Sequence, residues 1–285
     1  MNKKNIVITH KNCPDGFLAA WVAWTKFKNN ASYIGEHPGQ KRLLYMDKLM
    51  NKNVYIFDIS FPFKFIRNLE KITNKLVVID HHPGSNYLNT IQNKNFIYNE
   101  KYSAAYLTWK YFYPKKLIPQ FIKLISDNDT GTWKMKYSKE LSIYLKYKVK
   151  LKLKNDHFKK TTNLVSKTKL NKAIETGIIY KEYENQLIES IAKIAVKKQW
   201  HKYNVLIANA NVPHLGGKIA TFISQMPNID IGIVYRKISD TEILFTMRSN
   251  KKNIDLNKIA SKYGGGGHKG AASFVFYTKE KQTMY

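Results

Sequence analysis

The stretch "LVVIDHHPG" (76–84) ends an apolar run on Asp80, His81 and His82. A carboxylate and two imidazoles at the end of a buried strand are costly unless they are paired or bind a metal. Comparable groups recur elsewhere. "HKNCPDG" (10–16) offers His10, Cys13 and Asp15, "NVYIFD" (53–58) ends on Asp58, and "SDNDTGTW" (126–133) carries Asp127 and Asp129. One Asp after a strand is ordinarily a turn former or helix cap, but four such clusters together point to a site. Mixed carboxylate and imidazole donors suit manganese, iron or zinc better than magnesium or calcium. Two adjacent ions sharing a carboxylate can activate a water for attack at phosphorus.

The far end of the chain offers phosphate-holding groups. "GGGGHKG" (264–270) lets the backbone turn its N–H groups towards one point as an anion-binding nest, with His268 and Lys269 adding charge. Arg248, closing a β-rich run, presents a bidentate fork suited to phosphate.

These residues need a frame. In the first half, "NIVIT" (5–9), "NVYIFD" (53–58) and "KLVVID" (75–80) read as strands. They alternate with helical patterns at 15–27, 61–72, 103–112 and 117–126, Ser103 standing at an N-cap position. That alternation predicts an α/β fold with a parallel sheet covered on both faces. His10, Asp58 and Asp80 then fall at the carboxyl ends of strands, where such sheets gather ligands. Trp21 and Trp24 share a helix with Phe17 and Ala20 and read as core, and Trp133 is expected to pack beneath its loop rather than stack on a base.

The middle of the chain changes character. "LKYKVKLKLK" (145–154) alternates apolar residues with lysine and reads as an edge strand or solvated basic flap. A polar stretch at 161–171 reads as a linker, and 172–198 as one long helix. A second α/β region follows, with strands at 204–208, 230–236, 242–249 and 271–277 and helices at 216–226 and 255–263. The expected division is a catalytic domain over 1–160, a linker and connecting helix over 161–200, and a smaller substrate-binding domain over 201–285.

With 285 residues the chain is long enough for a real core. Its 48 Lys and Arg against 20 Asp and Glu give a formal charge of +28. Such a surplus favours polyanions, although AT-rich coding produces the same Lys-, Asn-, Ile- and Tyr-rich composition. A single cysteine allows no intrachain disulfide and fits a reducing compartment. No window approaches a membrane span, and the N-terminal apolar run is too short for a signal peptide. A cytoplasmic protein with no membrane partner is expected.

Taken together, the N-terminal "HKNCPDG", the strand-end Asp58, the Asp80-His81-His82 triplet and the terminal "GGGGH" resemble the DHH phosphoesterase superfamily, which is named for the triplet. The resemblance covers nearly the whole chain and is weakest at about 135–200. It implies a catalytic domain and a C-terminal substrate-binding domain around two manganese ions. His10 would bind the first ion and Asp15 the second. Asp58 would bridge both, and His81 and Asp129 would complete the second site, with Asp127 a weaker candidate than Asp129. Asp80 would orient its neighbours, and His82 would lie close to the substrate phosphate. Arg248 and the loop of Gly264, Gly265, Gly266, Gly267, His268 and Lys269 would hold the substrate's terminal phosphate or nucleotide. Cys13 stands where the family usually has an acidic residue, and is either a thiolate ligand or an inert packed side chain.

Relatives of this kind include oligoribonucleases, single-strand exonucleases, cyclic-dinucleotide phosphodiesterases and exopolyphosphatases. The leading expectation is a metal-dependent phosphodiesterase that converts short oligonucleotides to mononucleotides by metal-activated water, the second domain closing over the first. A phosphatase of 3′,5′-bisphosphate nucleotides or an exopolyphosphatase would use the same groups. A non-catalytic nucleic-acid-binding protein would use the basic surface, which also leaves longer nucleic acid open as a partner. Oligomeric state, including a homodimer, is open.

Overall fold

In the computed structural model, residues 3–37, 46–212 and 214–278 are described. They form two compact units, Met1–Lys181 and Glu182–Tyr285. The boundary falls inside a long helix.

The first unit runs β1 (Asn5–His10), α1 (Pro14–Phe27), β2 (Ala31–Glu36), α2 (Met46–Leu49), β3 (Asn53–Phe57), α3 (Phe63–Ile72), β4 (Lys75–Asp80) and β5 (Phe96–Tyr98). Then come α4 (Ala104–Phe112), α5 (Gln120–Asp129), α6 (Ser138–Tyr144), α7 (Asn155–Thr162) and α8 (Lys167–Lys193). The five strands are all parallel in the order β2-β1-β3-β4-β5. Period-two geometry explains why the central strands are apolar throughout, since successive side chains enter opposite cores. Val7, Tyr55, Phe57, Val77 and Ile79 join the core with Phe17, Trp21 and Trp24 of α1 and Phe121 of α5. Ile6, Ile8, Val54, Ile56, Leu76 and Val78 face Ile66 and Leu69 of α3.

β2 and β5 escape the sequence reading for a physical reason. "ASYIGE" is an edge strand with mixed burial, and β5 is three residues long, so neither carries the apolar run of a central strand.

The lysine-rich stretch at 145–154 is not a strand. It forms a π-helical turn over Leu145–Val149, and then the chain reverses through left-handed Lys150 and Leu151. Leu145, Val149 and Leu151 are still buried while Lys146, Lys148, Lys150, Lys152 and Lys154 are exposed. A tight helical turn followed by a reversal thus gives the same alternation of burial as a strand. Residues 161–171 are not an extended linker either. Thr161 is buried in the last turn of α7, Leu164 is buried in a single 3-10 turn, and α8 begins at Lys167.

The second unit contains β6 (Val196–Trp200), β7 (Tyr203–Asn209), α9 (Gly216–Ser224), β8 (Ile231–Lys237), β9 (Glu242–Arg248), α10 (Leu256–Ser261), β10 (Gly266–His268) and β11 (Ala271–Tyr277). α8 ends at Lys193 instead of reaching 198, because Val196–Trp200 pairs with β7 as an edge strand. The sheet order is β10-β11-β9-β8-β7-β6, with only β7 and β8 parallel. Leu206, Ala208 and Val234 face α9 and the end of α8. Val205, Ile231, Ile233, Met247 and Phe274 face α10.

Candidate metal centre

His10 is the last residue of β1, and Asp58 follows directly on β3. These strands are neighbours, and β2 lies on the far side of β1 while β4 lies on the far side of β3. The chain order therefore reverses between β1 and β3, which opens the crevice where open α/β sheets bind ligands. Asp80 closes β4, and His81 and His82 follow it. Asp15 comes from the first turn of α1 and Asp129 from the last residue of α5. Gly16 lets α1 approach this edge. A Cβ there would stand 2.6 Å from His10 O and 2.9 Å from Asp58 Oδ2. Asp58 itself is left-handed, with φ of +59°, a conformation that an Asp tolerates at a local cost.

The side chains converge into three overlapping donor sets, one of which, Asp58, Asp80, His81 and His82, includes an Asp80 already saturated with hydrogen bonds. His10, Cys13 and Asp58 offer ligand atoms all within 4.8 Å of one another, and so do Asp15, Asp58, His81 and Asp129. Asp58 belongs to all three. His81 Nε2 lies 3.1 Å from Asp129 Oδ2, 3.3 Å from Asp58 Oδ1 and 3.8 Å from Asp15 Oδ2. His10 Nδ1 lies 3.6 Å from Asp58 Oδ2.

Asp80 stands apart in role. Its Oδ1 accepts from the His81 amide at 2.8 Å, the His82 amide at 3.3 Å and His82 Nδ1 at 2.7 Å. Its Oδ2 accepts from Ser60 Oγ at 3.1 Å and Ser85 Oγ at 2.5 Å. Fully buried and fully bonded, Asp80 is the positioning residue of the triplet. It fixes the ring of His82, which is half-exposed. Ser60 and Ser85 were not singled out in the sequence, where a Ser in a turn carries no distinguishing signal.

Asp15 is doubly employed. Its two oxygens accept from the amides of Ala104 at 2.7 Å and Ala105 at 2.9 Å, so it caps α4. Ser103 does stand at the N-cap position, but its side chain makes no capping bond. A carboxylate oxygen keeps a further lone pair for a ligand. Asp127, two residues before Asp129, instead holds the following loop through Thr132 Oγ1 at 2.9 Å and the amides of Lys134 at 2.8 Å and Met135 at 3.1 Å. With Gly131 and Trp133 both at positive φ, that loop turns Trp133 outwards. The indole is 60 % exposed, with Lys139 Nζ 4.5 Å from its centre, so the expectation that it packs beneath the loop is overturned.

The electrostatics suit a bound cation. Both Asp58 oxygens, His10 Nδ1 and His81 Nε2 are buried without a hydrogen bond, although the protein has carboxylates and imidazoles beside them. Burial, then the charges of Asp58 and Asp129, push Asp15 well above the usual carboxylate range, with His81 opposing. Burial works against the charge on Asp58, but His10, His81 and His82 hold it well below that range. Burial, then Asp58, Asp129 and Asp15, push the Cys13 thiol up. Burial disfavours a charged His81, yet Asp129, Asp58 and Asp15 outweigh it and raise this imidazole from 6.5 to about 11. Orphaned buried donors with mixed O, N and S chemistry fit divalent metal ions.

A proton count follows. At neutral pH the metal-free protein holds His81 as imidazolium, and that pairing stabilises the fold below pH 6.5 and fades as pH rises through about 11. A metal ligand must be the neutral imidazole, so ion uptake expels the proton and tightens with rising pH. Calorimetry in buffers of different ionisation enthalpy should register at least one proton released at pH 7. Uptake with no proton release would place His81 outside the centre.

In the second unit the glycine run has conformational work. Gly264, at φ +72°, ends α10 in a Schellman motif, its amide donating to Ser261 O at 3.1 Å and that of Gly265 to Ala260 O at 2.9 Å. The amide of Gly267 donates to Asn257 Oδ1 at 3.0 Å, and Gly266–His268 pairs with β11. The expected nest is thus corrected. Three of these amides are used within the fold, and the run forms a helix stop and a narrow edge strand, with His268 and Lys269 exposed beside it. Arg248, ending β9, is part-buried and donates to Met247 O at 2.8 Å. Burial lowers its pKa, and among the described residues no carboxylate pairs with it. It lies at the first turn of α9, where a Cβ on Gly217 would stand 2.9 Å from Arg248 Nη2.

A parallel α/β unit with a buried acid–imidazole centre at its switch point, followed by a mixed-sheet α/β unit, defines a two-domain metal-site architecture. Residues 202–284 match the DHHA1 domain family model. The chain is 26 % identical over 290 residues to an uncharacterised protein of Acanthamoeba polyphaga mimivirus, covering 95 % of this chain and 67 % of that one. The fold is shared with the pGpG-specific phosphodiesterase PggH of Vibrio cholerae at a TM-score of 0.55 and 15 % identity, over 96 % and 94 % of the two chains. It is shared as well with a manganese-bound exonuclease RecJ at a TM-score of 0.54 and 13 % identity, over 96 % and 86 %. Residues 202–284 thus carry a DHHA1-type domain, and the chain as a whole has the fold of these solved structures.

Proposed function

We propose that this protein is a metal-dependent phosphodiesterase that hydrolyses short oligonucleotides to mononucleotides. The observation that carries this reading is Asp58, whose two buried oxygens lie unbonded between two donor sets that share it. Divalent ions held there, with Mn2+ the leading candidate, would supply Lewis-acid activation of water and neutralise charge developing on a phosphodiester. The remaining work falls to the chain. Asp15, Asp129 and His81 hold their donors at one point, and Asp80 fixes the direction of His82, whose half-exposed ring faces the edge where a phosphate would approach. Arg248, at the first turn of α9, has the fork geometry and free charge for a phosphate.

Trp133 favours a nucleotide over polyphosphate. An exposed indole four residues beyond Asp129, flanked by Lys139, offers a face for a base. Base stacking on an aromatic is worth about 1–3 kcal/mol. Trp133→Ala is therefore expected to raise KM for a dinucleotide about 5- to 150-fold and to leave hydrolysis of bis-p-nitrophenyl phosphate unchanged. Equal effects on both would show that Trp133 does not touch a base.

The substrate class is tested with a 5′-labelled RNA ladder, from dinucleotide to long strands, alongside a 3′,5′-bisphosphate nucleotide and polyphosphate, each with Mn2+, Mg2+ or Zn2+. Turnover fastest on the shortest RNAs and lost in His81→Ala is the expected result. Turnover confined to the bisphosphate or polyphosphate would reassign the substrate, and salt-sensitive binding without turnover would make the protein a binder.

A further inference from the structure

Two of the donor sets of the centre differ in chemistry. One is oxygen-rich, with Asp15, Asp58 and Asp129 around His81, and the other contains sulfur, with His10, Cys13 and Asp58. Cys13 occupies the N-cap position of the fourteen-residue helix α1, and its side chain makes no capping hydrogen bond. Burial and the neighbouring carboxylates disfavour a bare thiolate here, whereas a coordinating divalent ion deprotonates a thiol outright. The sulfur is not alone in aiming at this place. Asp58 is 1 % exposed with both oxygens unbonded, and His10 Nδ1 is buried and unbonded beside it.

We propose that the His10–Cys13–Asp58 position is thiolate-ligated and takes a thiophilic divalent ion such as Zn2+ or Fe2+, while the Asp15–Asp58–His81–Asp129 position takes a hard ion such as Mn2+. The inference rests on the metal-centre reading above and assigns its ions. Thiolate selects soft or borderline metals, and carboxylate-rich sets select Mn2+ or Mg2+. The exchange balances: the sulfur–metal bond forms as the S–H proton leaves to solvent, with no change of oxidation state. The protein then holds a mixed pair bridged by one carboxylate, and its two ions leave at different chelator strengths.

Cobalt reports this directly, because thiolate ligation gives Co2+ an intense near-ultraviolet charge-transfer band. Titrating Co2+ into the metal-free full-length protein should produce that band, saturating with one equivalent while a second equivalent binds without adding to it. Bound metal should also slow alkylation of Cys13 by iodoacetamide about tenfold or more, a measurement that needs no variant. Cys13→Ser should lose the band and keep the other ion. Cys13→Asp should keep two positions, weaken Zn2+ about tenfold or more and favour Mn2+ at both. Two Co2+ bound with no charge-transfer band, or alkylation indifferent to metal, would overturn the thiolate assignment and leave the metal centre standing. No Co2+ bound at all would overturn both.

Discussion

Asp58→Asn is expected to release the ions from both positions and to lower turnover about a thousandfold. The carboxylate is common to the donor sets, and its oxygens make no hydrogen bond. Losing metal activation forfeits several kcal/mol of transition-state stabilisation, and about 4 kcal/mol corresponds to roughly three decades in rate. Folding should respond differently from chemistry. In the wild type, saturating metal should raise the melting temperature through linkage, whereas in Asp58→Asn that rise should vanish and the metal-free melting temperature should change much less. Differential scanning calorimetry with and without metal separates the two effects. A variant that still gains stability from metal would show that the ions do not depend on Asp58.

Asp80→Ala should do the reverse, damaging the fold more than any other substitution in the triplet. Asp80 is 0 % exposed and accepts bonds from two backbone amides, one imidazole and two hydroxyls. The pKa of His82 beside it is raised, first by its hydrogen bond to Asp80, against the cost of burial. Truncation leaves these donors buried and unpaired, a loss of about 3–5 kcal/mol. For a unit of this size that is about 10 °C in melting temperature. Asp80→Asn keeps the shape and can turn its NH2 towards Ser60 and Ser85, whose hydroxyls also accept, so its cost should be nearer 1–2 kcal/mol. Thermal unfolding of the two metal-free variants makes the comparison. Equal stability of Asp80→Ala and wild type would remove Asp80 from the positioning role.

Much of this was legible in the chain because the informative residues are also the geometrically simple ones. A residue at the end of an apolar strand must emerge at the sheet's carboxyl edge, so His10, Asp58 and Asp80 could be placed together without knowing any contact. Strands buried on both faces betray themselves by unbroken apolar runs, as in "KLVVID", whereas the edge strand "ASYIGE" has no such constraint and passed unseen. The division of labour among the acids was not legible. Asp15, Asp80, Asp127 and Asp129 look alike in a sequence, and only the backbone amides around each show that Asp127 is spent on a loop, Asp15 shared with a helix terminus and Asp80 saturated. The lysine-rich stretch at 145–154 misled because a tight turn and reversal can bury alternate residues as a strand does. The glycine run misled in the opposite sense. Positive φ was read correctly at Gly264, but the freed amides return to α10 and Asn257 rather than converging on an anion.

Asp58 would hold two divalent ions at once at the edge between β1 and β3. Anomalous diffraction from a crystal equilibrated with both Mn2+ and Zn2+ tests this. Two anomalous peaks flanking the Asp58 carboxylate are expected, one beside His10 and Cys13 and one beside Asp15, His81 and Asp129. An absence of peaks at Asp58 in a crystal whose other residues are well ordered would contradict it.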